Sequence, residues 1–159
     1  TFPDEYVDLG DEEHLVAARN LASHVFLIDE FIAKEIEAGR INAENITKEK
    51  GNVKLHGHCQ QKALSSLTPT KKILTRLGHN EVHIIPSGCC GMAGSFGYEK
   101  EHFDLSMKIG ELVLFPTVRK QGEDVIIAAP GTSCRHQIKD GTGRIALHPV
   151  EILLEMLSK

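Results

Sequence analysis

The sequence predicts a three-layer α/β domain, Rossmann-like, with a mostly parallel sheet of about four strands. Three observations carry this. Short β-branched or apolar segments at 53–56, 81–85, 124–129 and 144–148 are separated by longer stretches whose apolar residues recur at helical spacing. Strands that alternate with helices need crossover connections, and right-handed crossovers place helices on both faces of a parallel sheet. A chain of 159 residues, 41% hydrophobic and 25% charged, is large enough to bury one core, so one domain is expected.

Each element has its own signal. From Asp11 to Ala38 the residues Leu15, Val16, Ala18, Leu21, Ala22, Val25, Phe26, Ile28, Phe31, Ile32 and Ile36 repeat at helical spacing, with Asp11 as the expected cap and Gly39 as the stop. The stretch to Gly51 is polar and loop-like. Val53 to His56 reads as a short strand and Gln60 to Gly78 as helix, broken and restarted at Thr68-Pro69. Then come the strand Glu81 to Ile85, a glycine-rich loop, and a long helix from about Glu99 to Arg119 with a bend expected at Pro116. Asp124 to Ala129 is a strand, Cys134 to Lys139 a short helical turn, Arg144 to His148 a last strand, and Pro149 to Leu157 a terminal helix with proline at its first position.

Composition excludes several function classes. The net charge is −4 and the lysines are scattered, so no basic face for nucleic acid is expected. Apolar runs such as Val125 to Ala129 are too short to span a bilayer, and no charged-then-apolar leader opens the chain. A soluble, cytoplasmic protein is the expectation. The start at Thr1, directly ahead of a helix-like segment, reads as a piece of something longer, with residues 1–10 the tail of an upstream module and 11–159 the domain. Four cysteines are too few for a disulfide scaffold, and the vicinal pair Cys89-Cys90 makes a poor bridge. Metal-bound or reactive thiols are the better reading.

The predicted topology gathers those thiols. Cys59 lies just past the first strand, Cys89 and Cys90 past the second, and Cys134 past the third. In an open parallel sheet the carboxyl ends of the strands share one edge, where ligand crevices form. Soft thiolates select zinc, copper(I) or iron–sulfur clusters. Zinc knuckles and cubane ferredoxins use closely spaced cysteine pairs, whereas here 29 residues separate Cys59 from Cys89 and 43 separate Cys90 from Cys134. Adjacent thiolates serve a multinuclear cluster more easily than one small tetrahedron, which favours iron–sulfur over zinc. The loop from Ser87 to Gly97 has glycine at 88, 91, 94 and 97, which lets the backbone wrap a bulky group and aim N–H groups at its sulfurs.

The segments His56-Gly57-His58-Cys59, Ser87-Gly88-Cys89-Cys90-Gly91 and Thr132-Ser133-Cys134 resemble the cysteine-rich CCG domain of heterodisulfide reductase B subunits and of glycolate and lactate oxidase iron–sulfur subunits. The longer string from Ser87 to Leu114, with Cys134-Arg135-His136-Gln137 and Ala146-Leu147-His148-Pro149, resembles the C-terminal part of FAD-linked 2-hydroxy-acid dehydrogenases fused to ferredoxin and CCG modules. The resemblance covers nearly the whole chain. It implies an iron–sulfur cluster, a non-cubane 4Fe-4S form included, on Cys59, Cys89, Cys90 and Cys134. It also implies FAD in a separate domain, flavin and ferredoxin-like modules as partners, and a 2-hydroxy acid such as glycolate, lactate or 2-hydroxyglutarate as substrate. No turnover is expected of the fragment alone. An association with the inner membrane face, without a transmembrane segment, is compatible with it. The family pattern often ends in C-x-x-C, and this chain departs from it with Gln137.

Around the cysteines, His56, His58, Gly88, Gly91 and His148 are expected to support a cofactor without ligating it. His136 is as much a structural as a functional candidate, and His14, His24, His79, His83 and His102 belong to no constellation. Ala93-Gly94-Ser95-Phe96-Gly97 lacks the first glycine of a nucleophile elbow, and no dinucleotide or phosphate-loop pattern occurs. The leading expectation is thus an electron-transfer domain. A structural zinc domain that scaffolds a redox complex stands second, and a cysteine-nucleophile enzyme using Cys134 at a helix N-terminus stands third.

Overall fold

The computed structural model describes residues 4–9, 12–42, 51–77 and 81–157. The expected cap Asp11, the loop at 43–50, Gly78 and His79 lie outside them, as do 1–3 of the expected tail. Two N-terminal helices, α1 (Glu5–Asp8) and α2 (Glu12–His24), precede α3 (Ile28–Glu37). Then follow β1 (Asn52–Leu55), α4 (Cys59–Leu64), α5 (Thr68–Arg76), β2 (Glu81–Ile84), a 3-10 turn (Phe96–Tyr98), α6 (Phe103–Leu112) and α7 (Leu114–Arg119). The chain closes with β3 (Ile126–Ala128), α8 (Thr132–Thr142), β4 (Ala146–Leu147) and α9 (Pro149–Glu155). The sheet has four strands in the order β2-β1-β3-β4, all parallel.

That order explains the layers. The step from β1 to β2 runs one way along the sheet, and the steps from β2 to β3 and from β3 to β4 run the other way. Right-handed crossovers in opposite directions put their helices on opposite faces. On one face Val53, Leu55, Val82 and Ala128 pack with Ala33 of α3, Ile73 and Leu74 of α5, and Ile152 and Leu153 of α9. On the other, Ile127, Ala129 and Ala146 pack with Leu114, Phe115 and Val118 of α7 and Ile138 of α8. Phe115 has no exposed surface, and a Cβ on Gly110 of α6 or on Gly141 of α8 would run into its ring. Two glycines therefore let α6 and α8 close on one aromatic side chain.

Several element boundaries differ from expectation: the long helix expected from Glu99 starts at Phe103, and the strands expected at 124–129 and 144–148 are shorter, Ile126–Ala128 and Ala146–Leu147. The helix expected from Asp11 to Ala38 is two helices, parted at Val25–Leu27. Leu27 is extended (ψ 149°), and its N–H donates to Glu30 Oε2 at 3.0 Å, a side-chain cap for α3. The cap frees α3 to turn Asp29 and Ala33 inward, while α2 buries only Ala18. The expected bend at Pro116 occurs at Val113, because proline clashes with the carbonyl four residues back, at Leu112. The helical turn expected at Cys134 to Lys139 extends over Thr132–Thr142 and ends on Gly143, left-handed at φ 74°. The stop at Gly39 is as read: φ is 70°, Gly39 N–H donates to Ile36 O at 3.1 Å and Arg40 N–H to Glu35 O at 2.9 Å, a Schellman closure.

Candidate metal centre

Reversal of strand order places a crevice between β1 and β3 at the carboxyl edge of the sheet. Every cysteine comes to this edge. Cys59 is the first residue of α4, Cys89 and Cys90 follow β2, and Cys134 is the third residue of α8, beyond β3. All four thiols are unbridged.

They form two tiers. The inner one is buried: Cys90 and Cys134 are 3% and 1% exposed, and His56, directly after β1, has no exposed surface. Donor atoms of His56, Cys90 and Cys134 all lie within 4.8 Å of one another. The outer tier is the exposed Cys59 with the half-buried Cys89, whose thiols interact. The vicinal pair is thus split, Cys90 facing in and Cys89 facing out.

His56 is held at two points. Its N–H donates to Ala128 O at 2.8 Å, extending the β1–β3 ladder, and its Nδ1 pairs with Ser87 Oγ at 2.7 Å. Its Nε2 is buried and has no hydrogen-bond partner.

Charge within the inner tier is uneven. Cys90 ionises far more readily than a free thiol because the Cys134 thiol donates to it, with the His56 ring and the Met92 N–H adding to the effect against burial. Cys134 is correspondingly held protonated, by that same pairing with Cys90, by burial, and by the negative charges that Cys90, Cys59 and Cys89 would carry. Partial burial and then the charge of Cys89 push Cys59 up as well. Together these thiols behave as a shared-proton set that resists full ionisation unless a cation enters. Cys134 stands at a helix N-terminus but is 1% exposed, so its sulfur faces the inner tier and not solvent.

The backbone around the thiols is shaped for close approach. Gly91 sits at φ 106°, and a Cβ there would collide with Ser106 O. Its N–H donates to Cys89 Sγ at 3.3 Å. Gly94 and Ala93 are also left-handed, at φ 75° and 40°, and turn the chain back toward Gly97. A Cβ on Gly131 would press on His58 and on the Cys134 sulfur, so the β3–α8 loop also touches the site.

Of the supporting residues expected from sequence, His56 and Gly91 lie in the site. His58 stands outside the inner tier, its ring against Gly131, and Gly88 has open space around its Cα. His148 caps α9: Val150 N–H donates to its Nδ1 at 3.1 Å, and its own N–H donates to Glu151 Oε2. His136 pairs with Tyr98 Oη at 2.6 Å. Two residues that the sequence reading missed hold the loops. Lys62, three positions after Cys59 on the same face of α4, donates to Ser87 O at 2.9 Å and Gly88 O at 2.7 Å. Gln137, known only as a departure from C-x-x-C, is 2% exposed and donates to Cys90 O, Ser106 O and Ser106 Oγ. The i, i+3 spacing of Cys59 and Lys62 was the available signal for the first. Arg135 Nη1 similarly donates to Ala129 O and Pro130 O, securing the loop before Cys134.

No family model matches the chain, and no solved structure matches it. Among curated proteins it is 25% identical over 155 residues to a subunit of the anaerobic glycerol-3-phosphate dehydrogenase of Escherichia coli K12, a match that covers 98% of this chain and 37% of that protein. It is 35% identical over 107 residues to the D-2-hydroxyglutarate dehydrogenase of Pseudomonas putida, covering 66% of this chain and 10% of that protein. To the E. coli K12 protein of the same name it is 29% identical over 136 residues, 84% of this chain and 13% of that protein. The chain is therefore homologous to parts of dehydrogenases and spans well under half the length of these relatives. Among the described residues no helix is long and apolar enough to cross a membrane.

Proposed function

We propose that residues 11–159 are a CCG-type cysteine-rich domain of an oxidoreductase, that Cys59, Cys89, Cys90 and Cys134 hold an iron–sulfur cluster, and that the domain relays electrons. One observation carries this reading: four unbridged thiols meet at one sheet edge in two tiers. A single tetrahedral ion uses ligands at one short spacing, and Cys59 and Cys89 fall outside the group whose donor atoms share 4.8 Å. A multinuclear centre uses both tiers. The donor set is also chemically suited to it, being rich in thiols, partly dry, and lined by N–H groups such as that of Gly91.

A bound cluster would supply one-electron redox chemistry. The protein residues would supply the rest. Cys90 and Cys134 exclude water at the inner wall, Cys89 and Cys59 face solvent where a redox partner can approach, and Gly91 brings its N–H to the Cys89 sulfur, which would raise the potential. Electrons would come from FAD chemistry in another part of the protein or a partner subunit, and pass to ferredoxin-like modules or another acceptor. The relatives' names denote substrates with a secondary hydroxyl, glycerol-3-phosphate and D-2-hydroxyglutarate. A 2-hydroxy acid such as glycolate, lactate or 2-hydroxyglutarate is the donor we assign. Unbridged cysteines suit the reducing cytoplasm, with any membrane association peripheral. Residues 1–10 belong in this reading to an upstream module; within them, Glu5–Asp8 contributes no buried residue.

Anaerobic iron and sulfide analysis of the intact protein, with visible and EPR spectra, tests the proposal. Iron and sulfide in equal amounts with a reducible chromophore support it; protein that holds neither after reconstitution rejects it. A second reading is favoured by the compact trio His56, Cys90 and Cys134, which with one more donor suits a structural zinc ion. One zinc per chain, redox silence and unfolding on chelation select that alternative.

A further inference from the structure

We propose that His56 is itself a ligand of the metal centre through Nε2, so that the site is a mixed imidazole–thiolate one. The inference rests on the reading that this edge holds a metal. Three independent observations converge on His56. Its Nε2 is fully buried and makes no hydrogen bond of ordinary geometry, although the ring acts on the Cys90 thiol and a buried ring nitrogen ordinarily finds a partner. The donor atoms of Cys90 and Cys134 lie within 4.8 Å of its own, a spacing that one metal ion can bridge. Ser87 Oγ sits 2.7 Å from Nδ1, the arrangement by which a ligating histidine gives its other N–H to a neighbour and keeps the opposite lone pair for a metal.

Position supports the assignment. The ladder bond to Ala128 O fixes the His56 backbone at the crevice between β1 and β3, and Lys62 fixes Ser87 through its carbonyl. Where a C-x-x-C pattern would provide one more thiolate, this chain has Gln137, whose amide is spent on Cys90 O and Ser106. His56 restores the donor that Gln137 does not offer. A neutral imidazole in place of a thiolate removes one negative charge from the centre, so its potential lies above that of an all-cysteine site with the same core.

The test compares intact protein grown with 14N-histidine and with 15N-histidine, purified anaerobically and poised in its paramagnetic state. Pulsed EPR should show a directly coupled imidazole nitrogen whose frequency changes on labelling. The coupling should be absent from His56→Ala and altered in Ser87→Ala, which keeps the ring and loses its orienting partner. An iron–sulfur signal with no histidine coupling, or with one that persists in His56→Ala, overturns the proposal and leaves the cluster reading intact. If the protein retains no iron, the cluster reading fails and cobalt(II) becomes the probe. Thiolate charge-transfer bands with histidine nitrogen coupling, and an affinity lowered by about tenfold or more in His56→Ala, support His56 as ligand. Cobalt(II) that does not bind, or binds equally to both proteins, overturns it. The wild-type labelling experiment needs no variant to fold.

Discussion

Gln137 Nε2 lies 3.2 Å from the carbonyl oxygen of Cys90, so the residue that departs from a C-x-x-C pattern is tied to the backbone of a proposed ligand. The same amide reaches Ser106 O at 3.2 Å and Ser106 Oγ at 2.8 Å, in a place almost closed to water. Its removal strands buried acceptors. Gln137→Ala should destabilise the protein by about 1–3 kcal/mol, the cost of leaving such groups unpaired. Urea unfolding followed by circular dichroism measures this; an unchanged midpoint contradicts the clamp.

The two expected glycine supports separate on geometry. Gly91 has φ 106°, and any Cβ meets Ser106 O, whereas nothing lies within 4 Å of a Cβ on Gly88. Backbone strain and overpacking together predict a loss of about 2–4 kcal/mol for Gly91→Ala. Gly88→Ala should stay within about 0.5 kcal/mol of wild type. Equal midpoints for the two variants would show that the loop rearranges freely.

Lys62 joins α4 to the loop that carries Cys89 and Cys90. Lys62→Met keeps most of the apolar stem and removes the donor to Ser87 O and Gly88 O. A loss of about 1–2 kcal/mol is expected, since charge-assisted hydrogen bonds are strong but this amine is partly solvated. The loop should also release bound metal faster. Chelator competition, timed on wild type and variant with the same metal load, reads that second effect.

How much of this was legible in the sequence follows from where the signals live. Parallel strands and the meeting of Cys59, Cys89, Cys90 and Cys134 are consequences of strand–helix alternation, and periodicity reports them directly. The split of α2 from α3 was hidden because apolar spacing continues through Val25-Phe26-Leu27, and only the Glu30 cap reveals the break. His56 and His58 look equivalent, two positions apart around Gly57. Strand β1 ends at Leu55 and His58 is the cap residue of α4, so the two rings have different surroundings and only His56 shares the compact group with Cys90 and Cys134. Gln137 acts through backbone carbonyls distant in sequence, a contact that leaves no local pattern to read, and Lys62 offered only its i, i+3 spacing from Cys59.

His148 gives the fold a dependence on pH. Burial first, then the positive charge of Arg135, lowers its pKa from the ordinary value, against smaller opposing effects of Glu151 and Asp29. The folded state therefore binds this proton less readily than the unfolded chain does. Stability from this residue is complete above the unfolded pKa of about 6.5 and is lost as pH falls below that value toward the lower folded one. The structural cause is visible at Nδ1, which accepts the Val150 N–H and cannot do so once protonated. His148→Asn retains a side-chain acceptor for the first turn of α9 without a group that titrates there. Urea midpoints for wild type should therefore fall between about pH 7.5 and pH 5.5 more steeply than those of the variant. Parallel slopes for the two proteins would move the pH sensitivity to other residues.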